Sequence, residues 1–233
     1  MKIPVVAIVV LAGALLLFGC QRSERIRYRI TVEVETPDGL KTGSSVIEST
    51  ITKGPRMGDS SGISSGLKGQ AVAVDLGHGR ILFATLADQR GSPDYHAHVF
   101  NEALTHGAEA SPAMPRLYKA WEWAEERRTA RRLKPTLTLP PEDYPPLGRF
   151  RDRHDPKSVE LIAPEDLSRV YGAGVRLRRI TLAVTDDQVT TGMEKWLPSF
   201  GPETGFTQWI RTLNYGDPRW RIVNGMGDVR RKP

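Results

Sequence analysis

Apolar and polar residues alternate in some stretches of this chain, run together in others and recur at helical spacing in a third set, and each pattern predicts an element. Tyr28, Ile30, Val32 and Val34 are apolar while Arg27, Arg29, Thr31, Glu33 and Glu35 are polar, and a period of two predicts a half-buried strand. Thr36-Pro37-Asp38-Gly39 carries turn chemistry and the β-rich residues 42–52 follow, so a β-hairpin is expected. Residues 71–76 and 80–86 are apolar on both faces and joined by Gly77-His78-Gly79, which predicts a second hairpin in the middle of a sheet. Val175 and Leu177 are apolar at odd positions, whereas Ile180, Leu182 and Val184 are apolar at even ones. A β-bulge at Arg178-Arg179 would reconcile the two halves.

Helical spacing is found elsewhere. Pro115 suits a first helical position, and Leu117, Ala120, Trp121 and Ala124 recur at helical intervals up to a basic end, predicting a helix over 115–132. Shorter helices are expected near 164–170 and 203–213. Residues 134–146 contain Pro135, Pro140, Pro141, Pro145 and Pro146, a density that forbids regular structure and suits a linker or a strap across the surface. The Ser/Gly segment 60–66 has too little apolar surface to order itself and reads as a mobile loop. Together these elements predict an α+β fold, a mainly antiparallel sheet with packed helices.

The first twenty residues have a different logic. Lys2 is followed by an uncharged stretch, 3–18, that ends in Leu17-Phe18-Gly19-Cys20, the layout of an export signal. The apolar run 3–19 would reach about 25 Å as a helix, short of a hydrocarbon core of about 30 Å. An uncleaved anchor and an ordinary secretory signal are the alternatives, but the latter would leave Cys20, the sole cysteine, as an unpaired thiol in an exported protein. The tetrapeptide resembles the lipobox of bacterial lipoproteins, although Phe18 departs from the small or aliphatic residue usual there. The stretches 28–48, 69–86 and 171–198 are likewise similar to segments of uncharacterised proteobacterial lipoproteins, particularly small hypothetical proteins of alphaproteobacteria. That resemblance implies cleavage after residue 19 and acylation of Cys20 with chains such as palmitate; the polar residues that follow and the alternation after them predict a tether over 20–26 and one domain over 27–233. It implies no activity. Gln21, in place of the aspartate that marks inner-membrane retention in enteric bacteria, points to the outer membrane.

Composition narrows the function classes. Hydrophobic residues make up 39% of the chain, and with the six tyrosines left out and the 22 glycines counted in the share is about 46%, an ordinary globular value that excludes disorder throughout. The net charge is +6 and falls to about +5 without the leader, and an exported domain does not meet the chromosome, so nucleic acid is not an expected partner. No cysteine follows Cys20, so disulfides cannot stabilise the domain.

Few residues suggest chemistry. Asp94, His96 and His98 would share one face of a strand, where a carboxylate and two imidazoles can hold Zn²⁺; solvated loop histidines are the plainer reading. His78 beside Asp75, the pair His154-Asp155 and the serines at 44, 45, 60, 61, 64 and 65 lack a G-x-S-x-G elbow or an S-x-x-K motif. Gly172-Ala173-Gly174 and Gly225-Met226-Gly227 fit turns rather than phosphate loops. Trp123, Arg127, Arg128, Arg131, Arg132 and Lys134 could contact an anionic membrane surface, strengthened by Arg22, Arg25, Arg27 and Arg29; the alternative is helix-end arginines that complement the helix dipole. The expectation is a cell-envelope lipoprotein that faces the periplasm, with the membrane and an envelope protein as partners, no cofactor, and a non-catalytic binding or assembly role. The alternative is a metal-dependent periplasmic hydrolase built on Asp94, His96 and His98.

Overall fold

A computed structural model describes residues 22–55, 62–87, 123–201, 205–214, 216–223 and 225–227. The alternating segment forms β1 (Arg22–Thr36), which turns at residues 37–38 into β2 (Gly39–Lys53), with fifteen residues in each strand. Gly39 takes φ 102° to complete the turn, a conformation open to glycine. The even residues Ile26, Tyr28, Ile30, Val32 and Val34 are buried and their polar neighbours lie on the other face. Burial of each of the four aliphatic side chains among them contributes roughly 1.5–3 kcal/mol, which fixes the register of the hairpin.

The remaining described elements are β3 (Ile63–Lys68), β4 (Val72–Asp75), β5 (Ile81–Ala84), α1 (Trp123–Leu133), β6 (Thr136–Thr138), β7 (Leu147–Phe150), β8 (Val159–Ile162), α2 (Leu167–Tyr171), β9 (Arg176–Val184), α3 (Gly205–Ile210) and α4 (Pro218–Val223). Single 3₁₀ turns punctuate the second half. Two antiparallel sheets result, in the strand orders β3-β2-β1-β9-β6 and β4-β5-β7-β8. A first apolar core lies between them, joining the even residues of β1 to Val72, Val74, Leu82, Ala84, Leu147, Ile162, Ile180 and Leu182. The opposite face of the smaller sheet carries Ile81, Phe83, Phe150 and Val159 and is covered by Leu197, Phe200, Phe206, Trp209, Ile222 and Val223. The order is therefore sheet, sheet, short helices. The protein is a mainly antiparallel β structure with a few short helices, within the α+β class. Among the described residues no helix is long and apolar enough to cross a membrane.

Several sequence expectations need revision. The tether expected over residues 20–26 is strand from Arg22 onward, because β2 pairs with β1 out to Arg22↔Lys53 and Ile26 is core. Residues 63–66 of the Ser/Gly segment belong to the strand 63–68, ordered by the β2 edge that it pairs with and by Leu67 packing on the core. The Pro-rich stretch is stitched to the large sheet: Thr136 and Thr138 pair with β9, and Leu139 N–H donates to the Ile180 carbonyl. Prolines are tolerated there because β6 is an edge strand. The second hairpin forms as expected, with Gly77, His78 and Gly79 all at positive φ, yet β4 is an edge strand and β5 lies inside. β4 is apolar on both faces because Val72 and Val74 enter the first core while Ala73 packs on the second; β2 approaches it closely at Gly43, where a Cβ would lie 2.2 Å from the Ala73 carbonyl oxygen.

The expected bulge is present. Glu33 pairs with Arg179 and Val34 with Leu177, so Arg178 is the extra residue. Both arginines stay exposed and pair with Glu33, at 3.7 and 2.8 Å. Helix is found over 123–133, while residues 115–122 lie outside those described. Lys134 caps α1 at φ 47° with its N–H on the Ala130 carbonyl, the left-handed position that glycine usually occupies.

Buried tyrosines give the fold a defined alkaline limit. Burial pushes the Tyr28 hydroxyl well above its usual 10.0, with Arg127 partly opposing. Burial does the same to Tyr171, whose hydroxyl donates to the Ile81 carbonyl at 2.9 Å. A group whose folded value lies above its unfolded one stabilises fully below the unfolded value and loses that contribution as pH rises. Burial also lowers Arg127 to about 10, which acts in the opposite direction, but two tyrosines stand against one guanidinium. Stability should therefore fall as pH rises past 10, and Tyr28→Phe should move the onset upward. Phenolate absorbance followed against far-UV circular dichroism would test this; ionisation of all six tyrosines near pH 10 with the fold intact would contradict it.

Candidate functional site

Two places in the fold gather polar side chains. The first is the open end of the long hairpin, where β1 begins and β2 ends. α1 lies against this end on the core-facing side, because Glu24 projects there from β1 and holds Arg128 at 2.7 Å and Arg131 at 3.0 Å. Arg22, Arg25, Lys53 and Arg132 are exposed around that pair. Leu133, between Arg132 and Lys134, is 68% exposed. Lys134 pairs with Asp186 and Arg29 with Asp187. Asp187 is held below the usual carboxylate range by the Thr185 hydroxyl and by Arg29.

Arg127 does not belong to this surface. It is 1% exposed, and its guanidinium donates to the Ser49 carbonyl and Oγ at 3.2 and 3.0 Å. Residues 127 and 128 are about 100° apart on the helix, and it is the side carrying Arg127 that turns toward Ser49 of β2. Of the candidates for membrane contact, Arg128, Arg131, Arg132 and Lys134 are exposed. Trp123 opens α1, with its side chain outside those described.

The second place is a polar groove of about 250 Å³ between β2, β4 and residues 190–196. Thr42, Gly43 and Ser44 line one side, Gln70, Ala73 and Asp75 another, and Thr190, Met193 and Trp196 complete it. Gln70 is a buried strut: its side-chain oxygen accepts from Met193 N–H at 2.8 Å and its carbonyl accepts from Ser45 Oγ at 2.6 Å. Asp75 Oδ1 accepts from Gly77 N–H at 2.8 Å. No periodicity in the sequence marks this groove. The one available signal was Gly43, since a glycine inside a strand often marks close approach of another backbone.

Other candidates separate. Cys20, Asp94, His96 and His98 lie outside the described residues. Among the described residues no group of three or more His, Cys, Asp or Glu side chains is placed to hold a metal ion. His78 occupies the β4–β5 turn, while His154 N–H donates to Asp152 Oδ1. Ser44 Oγ accepts from Arg29 and Ser45 Oγ donates to the Gln70 carbonyl. No family model matches the chain, and neither does a curated protein or a solved structure.

Proposed function

We propose that the chain is a lipid-anchored protein of the bacterial cell envelope whose domain has a binding or assembly role. The observation that carries this reading is the apolar run 3–19 ending at the sole cysteine, Cys20. The start of β1 at Arg22 supports it in one respect: only Gln21 would separate an acylated Cys20 from the folded domain. The basic hairpin end, with Arg22, Arg25, Arg128 and Arg132, would then rest at the headgroups, where each cation contributes about 1 kcal/mol on an anionic surface. Two or more acyl chains give stable anchoring, since each buried methylene contributes about 0.8 kcal/mol.

Intact mass and detergent partitioning test this directly, on protein expressed in a bacterial host beside a Cys20→Ser variant. The expected product lacks residues 1–19, carries added acyl mass and partitions with detergent, and the variant shows neither cleavage nor acyl mass. An uncleaved, unmodified wild-type chain would overturn the reading.

A further inference from the structure

The outer edge of β2 is occupied from Lys53 down to Val46. β3 pairs with residues 48–53. Thr190 takes the next position, its N–H donating to the Val46 carbonyl at 3.0 Å and its Oγ1 accepting from Val46 N–H at 2.8 Å. In an antiparallel ladder both backbone groups of one residue point to the same neighbour, and successive residues alternate. The outward direction of Val46 therefore makes Ser44, Thr42 and Leu40 outward as well. Among the described residues no backbone hydrogen bond is made by these outward groups, and Leu40 is 48% exposed. The polar groove begins at this point, and its far wall is also a strand edge. Ala71 N–H donates to the Met226 carbonyl, away from β5, so Ala73 and Asp75 face away from β5 too.

We propose that residues 40–44 are a docking edge for an extended segment of a partner polypeptide, which adds beside β2 and turns a basic side chain into the groove. Outward donors and acceptors recur every second residue, about 6.8 Å apart, which is the repeat of an extended chain. The charge follows from the lining. Asp75 is its one acidic side chain, and no described cation pairs with it. Trp196 belongs to the same lining, and indole is the side chain that attracts a cation best. The proposal rests on the binding role given above and not on the anchor, because acylation and peptide binding are read by separate measurements.

The test uses the full-length protein in detergent and three labelled seven-residue peptides that alternate valine and threonine, with Lys, Ala or Glu at the centre, followed by fluorescence anisotropy. The Lys peptide should bind about fivefold more tightly than the Ala peptide, the scale of one exposed ion pair, and the Glu peptide more weakly still. N-methylation of the amides along one edge of the peptide should abolish binding, and along the other edge leave it intact. Asp75→Asn, which keeps an acceptor for Gly77 N–H, should remove the preference for Lys while the Ala peptide binds as before. Thr42→Pro should remove binding of all three by deleting an outward N–H. Failure of every peptide to bind, or equal tolerance of methylation on both edges, would overturn the proposal. So would dimers that form without peptide and dissociate in Thr42→Pro, since the occupant would then be a second copy.

Discussion

Gly43→Ala is expected to destabilise the protein by about 3 kcal/mol, at the upper end for overpacking. Residue 43 is where the two sheets touch backbone to backbone: the added methyl would lie 2.2 Å from the Ala73 carbonyl oxygen and 2.9 Å from both the Ala73 carbonyl carbon and Val74 Cγ2. The obstacle is main chain, so no rotamer change relieves it. β4 would have to move, and Val72 and Val74 on that strand are fully buried in the first core. For a chain of this size, 1 kcal/mol shifts the thermal midpoint by about 2–4 °C, so a drop of roughly 6–12 °C is expected. Gly66→Ala is the control, because residue 66 is also in a strand but has nothing within 4 Å of its Cβ position. It should be neutral or slightly stabilising, as expected from reduced backbone freedom. Equal midpoints for the two variants would show that the close approach of β4 to β2 is wrong.

Phe83→Ala should cost about 3–5 kcal/mol, the range for removing a large aromatic from a packed core. Phe83 is fully buried and lies in β5, inside the smaller sheet. Its ring meets Phe150 edge-on, with centroids 5.5 Å apart and planes at 88°, a favoured aromatic geometry. Because β4 and β7 hold β5 on both sides, the backbone cannot collapse into the space left behind. Urea denaturation should show a lower midpoint with an unchanged slope. Leu133→Ala, at a position 68% exposed, should stay within about 0.5 kcal/mol of the parent. A loss at Phe83 no larger than that at Leu133 would argue against the helical layer over the second sheet.

How much of this was legible depended on where each hydrogen bond goes. The β1–β2 hairpin could be read because both its pattern and its turn are local: alternation sets the buried face, and Pro37 and Gly39 set the reversal. The bulge at Arg178 was legible for the same reason, since the apolar phase of β9 changes there. The strand at 63–68 was not, because Ser64, Ser65 and Gly66 have no apolar pattern and gain order only from pairing with β2. β7 and β8 also escaped notice: four residues each are too few to establish a period. Of the candidate site residues, exposure of Arg128, Arg131, Arg132 and Lys134 followed from the basic run, but burial of Arg127 depended on which helix face meets Ser49.

By itself the sequence determined the long hairpin, the phase change in β9 and a short helix near 164–170, because each is written in neighbouring residues. Only the tertiary structure decided that two sheets stack with helices on the outer face, that β4 crosses β2 at a glycine, and that a polar groove opens beside a strand edge with which no described segment pairs. These features depend on contacts between residues far apart in the chain, such as Gly43 with Ala73, Val46 with Thr190 and Gln70 with Met193. No periodicity within one segment encodes the neighbour that another segment will supply.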